Sequence, residues 1–73
     1  MTRLPQVTAK QLIRFLCANG FVEDRQKGSH VVLRNAAKGI SVTVPMHPGD
    51  LGRGLAQAIL RAAGFTVNDF VRR

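Results

Sequence analysis

Two histidines, His30 and His47, are the residues of this 73-residue chain best suited to proton transfer at neutral pH. An unperturbed imidazole has a pKa of about 6.5, so it both accepts and donates protons near neutrality. His30 directly follows Lys27, Gly28 and Ser29, and an apolar run begins after it. Four consecutive residues therefore supply a cation, a flexible glycine, a hydroxyl and an imidazole.

Cleavage of RNA is the chemistry that this group of residues fits best. A histidine takes the proton of a 2′-hydroxyl or gives one to the leaving oxygen, which contributes about 10²- to 10⁴-fold to the rate. The cations Lys27, Arg25 and Arg34 are suited to holding a phosphate in the transition state. Gly28 allows backbone N–H groups to approach a phosphate closely. This route needs no metal and no cofactor, and the sequence lacks the carboxylate clusters that hold Mg²⁺.

Structural interpretations of the same residues stay open at this point. A histidine at the start of a strand is usually a surface or packing residue, and Lys27-Gly28 is a common turn. His47, between Met46 and Pro48, fits a hydrogen-bonding role in a loop. From composition alone, the structural interpretation of His30 is the favoured one.

The charge of the chain favours a polyanionic partner. Eleven Lys and Arg residues against four Asp and Glu give a formal net charge of +7, so nucleic acid is the first expectation. A solvated basic surface, or one that binds an acidic protein, is the alternative. The length allows only one small core, and we expect a single domain over residues 1–73.

Membrane insertion and export have no support in the sequence. No apolar run approaches the roughly 20 residues that cross a bilayer, and the N-terminus lacks the apolar region of a secretory signal. We therefore expect a cytoplasmic protein that binds no membrane. Its single cysteine, Cys17, cannot form an internal disulfide and is too little for a zinc site of the CxxC kind.

The first element is an amphipathic helix over residues 7–20. Thr8 and Gln11 match a capping box, and Gly20 is suited to the left-handed position that ends a helix. Cys17 falls on the apolar face, where we expect a small buried hydrophobe.

A three-stranded sheet is expected to follow, with strands at residues 21–26, 29–35 and 40–44. If the last two strands pair about a turn at residues 36–39, His30 lies opposite residues near 44 and His47 is just beyond. Both histidines then lie at one end of the sheet. Arg34 shares the face of His30, because side chains alternate along a strand.

A second helix completes the predicted α-β-β-β-α order, and a short C-terminal helix follows it. The second covers residues 53–63, and its inward face is expected to contain Leu55, Ala58, Ile59 and Ala62. Thr66 and Asp69 match the cap of a short last helix. The expected fold class is α+β, a three-stranded antiparallel sheet with two helices on one face.

Three segments of the chain, residues 25–30, 42–49 and 51–65, resemble the HicA toxin family in order and separation. Members of that family are mRNA interferases of type II toxin-antitoxin systems, with a fold like the double-stranded-RNA-binding domain. The likeness spans residues 7–71. It implies an endoribonuclease whose catalytic residue is His30, with mRNA as its substrate and a HicB-type antitoxin that covers the site.

With the resemblance included, the expected function is a metal-independent endoribonuclease toxin. The expected catalytic residue is His30, and the expected RNA-binding residues are Arg25, Lys27, Gly28, Ser29, Arg34 and His47. An RNA-binding module without chemistry, and a protein that binds an acidic partner, are the alternatives.

The chain departs from the family pattern in its aromatic residues. Val31-Val32-Leu33 follows the histidine motif, where members often carry an aromatic residue or a second histidine. The chain has no Tyr or Trp and only four Phe, so we expect weak sequence preference for RNA. Residues 1–6 extend beyond the usual start and have no expected role.

Overall fold

A computed structural model describes residues 4–73, and its elements follow the predicted order. The helices are α1 (Ala9–Ala18), α2 (Arg53–Ala62) and α3 (Val67–Val71), and the strands are β1 (Val22–Lys27), β2 (His30–Asn35) and β3 (Ile40–Pro45). The strands form one antiparallel sheet in the order β1-β2-β3. The predicted α+β class is confirmed.

Helix α1 begins and ends where its sequence signals predict. The Gln11 N–H donates to the Thr8 hydroxyl at 3.2 Å, and the Thr8 N–H donates to the Gln11 side chain at 2.9 Å. These bonds satisfy two N–H groups that have no partner inside the helix. At the other end Gly20 has a φ of 96°, and the Phe21 N–H donates to the Leu16 carbonyl at 3.0 Å.

We expect the substitution Thr8→Ala to destabilise the fold by about 1 kcal/mol, because the first turn of α1 loses its side-chain cap. For a domain of this size, that change lowers Tm by about 4 to 8 °C. Thermal unfolding followed by circular dichroism measures the shift. Thr8→Ser is the control because it keeps the hydroxyl, and equal Tm values for Thr8→Ala and the wild type would contradict the capping role.

The core lies between the helices and one face of the sheet. Buried residues alternate along β2, and along β3 as far as Val44, as the period of two predicts; the last residue of β3, Pro45, is buried as well. They form one cluster with apolar residues of both long helices, and its fully buried members include Leu12, Leu16, Val31, Leu33, Val44 and Leu60. The two helices therefore cover one face of the sheet, as expected.

The segment before α1 also contributes to the core. Leu4 and Val7 are buried, and the Leu51 N–H donates to the Val7 carbonyl at 2.8 Å. Part of the segment 1–6 thus has a packing role that the sequence did not predict. Residues 1–3 lie outside the described residues.

Aromatic rings join α3 to α1. Phe15 of α1 packs edge-on against Phe70 of α3 and against Phe65, with ring centroids 5.2 Å and 5.0 Å apart. The Thr66 hydroxyl and the Asp69 carboxylate form the predicted capping box of α3. Phe15 is therefore a core residue.

The buried face of α2 differs from the prediction. The structure exposes Leu55, Ala58 and Ala62 and buries Ala56, Ile59, Leu60 and Ala63. Ile59 and Leu60 are adjacent, so both are buried only when the inward face is centred between them. Successive residues are about 100° apart around a helix, and this centring turns Leu55 about 90° away from the core.

Cys17 is exposed, whereas the sequence predicts a buried residue. Burial of the large Phe15 ring turns the inward face of α1 away from Cys17. The thiol instead lines a groove beside Glu23 of β1. Partial desolvation of the sulfur raises the pKa of Cys17 above its ordinary value, and the carboxylate of Glu23 raises it further.

We expect Cys17 to react with iodoacetamide more slowly than an unstructured cysteine at mildly alkaline pH. A raised pKa leaves less thiolate at a given pH, and the thiolate is the reacting form. Glu23→Gln removes one cause of the shift, so the pKa falls and alkylation accelerates, by several-fold at most. Mass spectrometry measures the rate with Asp24→Asn as the control. Equal acceleration by both variants would show a general charge effect.

Candidate active site

The face of the sheet opposite the helices, called the open face here, carries most of the predicted site residues. Residues paired across neighbouring strands point to the same face, so the register defines its rows. From one end of the sheet to the other, the rows are Lys27, His30 and Pro45, then Arg25, Val32 and Thr43, then Val22, Arg34 and Ser41.

The β1–β2 turn fixes His30 at the beginning of β2. Gly28 has a φ of 61°, and no other residue type in the described range has positive φ, so the Gly28-Ser29 turn fits type II′. The Gln26 side-chain amide donates to the Gly28 carbonyl at 3.2 Å, and the Met46 N–H donates to the Ser29 carbonyl. The turn is therefore tied to both β1 and the end of β3.

Space around the turn is open. A Cβ atom built on Gly28 would meet no protein atom within 4 Å, so its positive φ is the reason for a glycine there. Gly28 is consequently open to a ligand on the side where a Cβ would project, although the carbonyls of Gly28 and Ser29 already accept hydrogen bonds. The predicted contact of these residues with phosphate stays a prediction.

His30 and Lys27 form a direct cross-strand pair at the exposed end of the open face. The Cβ atoms of such pairs are about 5 Å apart, which places an ammonium group within reach of any phosphate that contacts the imidazole. Within residues 4–73, no hydrogen bond or ion pair holds either side chain. Both groups are therefore available to a substrate.

The two predicted arginines lie at different distances from His30. Arg25 is on β1 and occupies the adjacent row, two residues along and one strand across from His30, so their Cα atoms are about 8 Å apart. Arg34 occupies the far row, about 13 Å from His30 along β2. Arg25 is thus close enough to His30 for both side chains to reach one ligand, whereas Arg34 lies farther along the open face.

His47 lies at the same end of the sheet as His30, as the predicted register requires. It comes two residues after Pro45, which pairs with His30. The exposed His47 lines a cleft of about 450 Å³ beside Thr8 and Lys10 at the beginning of α1. The sequence did not indicate Lys10 as a site residue, because its approach depends on the bridge between Thr8 and Asp50.

All charged residues at the cross-strand paired positions of the open face are positive. Arg25, Lys27 and Arg34 are exposed there, and none of the paired positions of that face carries an acid. Glu23 pairs with Leu33 and therefore belongs to the helix side, while Asp24 lies in the β-bulge of β1. The open face is consequently electropositive and suited to a polyanion.

Aromatic side chains are absent from the open face as far as the structure describes it. Phe15, Phe21 and Phe70 are buried, and Phe65 is half-buried against the core. The open face therefore offers no aromatic platform on which a base could stack, and the weak sequence preference stays a prediction.

Neither a cluster of metal ligands nor a membrane-spanning helix is found in the part of the chain that the structure describes. In residues 4–73, no three His, Cys, Asp or Glu side chains converge on a point where they would ligate one ion. No helix in the same range has the length and apolar character that crossing a bilayer requires.

Comparison with protein families identifies the family to which the chain belongs. Residues 9–65 match the family model described as HicA toxin of bacterial toxin-antitoxin, which covers more than half of the chain. The chain therefore belongs to the HicA toxin family, and the predicted family is confirmed. Membership of this family implies that the chain is the toxin of a toxin-antitoxin pair and that its partner is an antitoxin. No curated protein matches the chain.

Proposed function

We propose that the protein is a metal-independent endoribonuclease that cleaves mRNA, with His30 as a general acid or base. The observation that carries the proposal is the exposed pair of His30 and Lys27 at the end of an electropositive sheet face. Membership of the HicA toxin family supports a toxin function, and a histidine beside a cation can assist RNA cleavage without a metal ion.

The reaction is an internal transesterification of the RNA backbone. The 2′-oxygen attacks the neighbouring phosphorus and the bond to the 5′-oxygen breaks, which leaves a cyclic phosphate and a 5′-hydroxyl. One proton leaves the 2′-hydroxyl and one is delivered to the 5′-oxygen. The imidazole of His30 performs one of these transfers, and His47 is the other histidine at this end of the sheet.

The cations have separate roles in this scheme. Lys27 stabilises the reacting phosphate, because its ammonium group lies beside His30. The attraction between this group and the non-bridging oxygens strengthens as negative charge builds on them. Arg25 assists from the adjacent row, and Arg34 binds a phosphate farther along the strand. Gly28 and Ser29 shape the turn and offer backbone groups to the RNA.

A HicB-type antitoxin neutralises the toxin in this proposal by covering the open face. The charge of that face favours an antitoxin surface rich in Asp and Glu, since complementary potentials speed association. RNA and the antitoxin then compete for the same residues. Excess RNA that fails to displace the antitoxin at any salt concentration would argue for a different interface.

A non-catalytic RNA-binding module is the second candidate, and one observation favours it. His30 has no hydrogen-bond partner within residues 4–73 that would orient its imidazole, whereas many catalytic histidines are oriented by a third group. Binding by shape through phosphate and 2′-hydroxyl contacts explains the charge equally well.

Cleavage in excess EDTA, followed by identification of the fragment ends, separates the two candidates. We expect the wild-type protein to cut a defined RNA under these conditions and to leave 5′-hydroxyl and cyclic phosphate ends. Binding without fragments favours the second candidate. Ends that carry a 5′-phosphate, or cleavage only after Mg²⁺ is restored, contradict the proposed mechanism.

A further inference from the structure

The two free edges of the sheet differ in how they resist pairing with another strand. The β1 edge carries the charged residues Glu23, Arg25 and Lys27, and a bulge interrupts its register. Charges and bulges are devices that prevent edge-to-edge association. The β3 edge, Ile40–Pro45, has no charged residue and pairs with β2 without a bulge. Only the β3 edge is therefore open to another strand.

Hydrogen-bonding groups on β3 alternate between β2 and the free edge. The Met46 N–H donates to the Ser29 carbonyl, which marks this pair as hydrogen-bonded. In an antiparallel ladder every second pair has this character, so Val42 and Val44 also bond to β2. The N–H and C=O groups of Ser41 and Thr43 consequently point to the free edge. No other group in residues 4–73 bonds to them.

We propose that the β3 edge pairs antiparallel with the β3 edge of a second copy of this chain. When the two Val42 residues lie opposite each other, Ser41 of each copy faces Thr43 of the other. Each of these two pairs exchanges two backbone hydrogen bonds, so all four free N–H groups find acceptors. A register that sets Ser41 opposite Pro45 loses bonds, because proline has no N–H.

Helix α2 supports a second copy as the occupant of this edge. Leu55, Ala58 and Ala62 form an exposed apolar stripe on one flank of α2, and Leu55 is 42% exposed. The opposite flank, with Gln57 and Arg61, faces the beginning of α3 and thus the side of α1. The stripe therefore lies on the side of the β3 edge, where pairing of the strands brings the two α2 helices together.

Pairing along β3 would create a six-stranded sheet with both open faces on the same side. The two His30 residues then lie about 20 Å apart along the strands and about 14 Å apart across them, or roughly 25 Å in total. Both sites stay exposed, so the pairing adds a property to the chain and does not depend on RNA cleavage.

Sedimentation equilibrium of the full chain at moderate and high salt tests the pairing. We expect the average mass to rise toward twice that of one chain with concentration, and to rise more at high salt, because salt screens the repulsion between two chains of charge +7. A mass that stays at one chain up to about 1 mM overturns the proposal.

Substitutions at the edge test the register. Thr43→Pro removes an N–H that points to the free edge, and edge positions tolerate proline. We expect it to raise the dissociation constant at least tenfold, while Thr43→Val, which keeps the N–H, has little effect. Circular dichroism verifies that both variants fold. An unchanged dissociation constant in a folded Thr43→Pro variant overturns the proposal.

A second pair of variants addresses the α2 stripe without touching the sheet. Leu55→Glu places a charge in the stripe, and Gln57→Glu places the same charge on the other flank. We expect only the first to weaken pairing, by tenfold or more. Equal effects of both variants overturn the role of the stripe.

Hydrogen exchange distinguishes a second copy from another occupant of the same edge. We expect the Ser41 and Thr43 amides to become protected as the concentration of the chain alone increases. Protection that appears only after an antitoxin is added assigns the edge to an antitoxin strand and overturns pairing between copies.

Discussion

His30→Ala is expected to slow RNA cleavage by about 10²- to 10⁴-fold and to leave the fold intact. The side chain is exposed and makes no hydrogen bond in the described range, so its removal leaves no cavity and no unpaired buried group. The cations of the open face remain, and RNA binding should change little. Single-turnover cleavage and filter binding measure the two effects separately.

The control for this substitution is His47→Ala, which removes the other imidazole at the same end of the sheet. A much smaller loss in His47→Ala would identify His30 as the principal proton-transfer group. Comparable losses would indicate that the two histidines share the transfers. Cleavage by a folded His30→Ala protein at the wild-type rate would end the catalytic assignment.

Leu33→Ala is expected to destabilise the protein by about 2 to 5 kcal/mol, because it leaves a cavity in the core. Leu33 is fully buried on β2. A chain of 73 residues has a total stability of about 4 to 11 kcal/mol, so the loss is a large fraction of the whole. Urea unfolding at equilibrium measures the change.

The matched control is Arg34→Ala, one residue farther along β2 and on the open face. We expect its stability to stay within about 0.5 kcal/mol of the wild type, since surface substitutions rarely do more. Its affinity for RNA should fall and depend less steeply on salt, because one phosphate contact is lost. A strongly destabilised Arg34→Ala protein would show that the two faces of β2 are not independent.

Local signals in the sequence predicted most of the fold. The capping box of Thr8 and Gln11 and the glycine after α1 act within a few residues, so the sequence contains all of their hydrogen-bond partners. The alternation along β2 and β3 fixed which residues are buried. It also placed His30 and His47 at one end of the sheet, since register follows from a short turn.

Features that depend on distant packing were not predictable in the same way. The alanines of α2 fit either the buried or the exposed face of the helix. Only the joint burial of Ile59 and Leu60 against the sheet determines which face is buried. Cys17 is exposed because Phe15 packs against the aromatic rings that follow α2. The approach of Lys10 to His47 depends on a bridge between segments 42 residues apart in sequence, Thr8 and Asp50.

The alternation of β2 also has an evolutionary consequence. Leu33 and Arg34 are neighbours in sequence, yet Leu33 is buried in the core and Arg34 is exposed on the open face. Substitutions on the open face are therefore weakly constrained by stability. Under the proposed function, in which this face binds RNA and the antitoxin, a lineage can alter either partner with few compensating changes in the core. Under the same proposal, toxin-antitoxin pairs of two lineages can diverge quickly, until the toxin of one lineage no longer binds the antitoxin of the other.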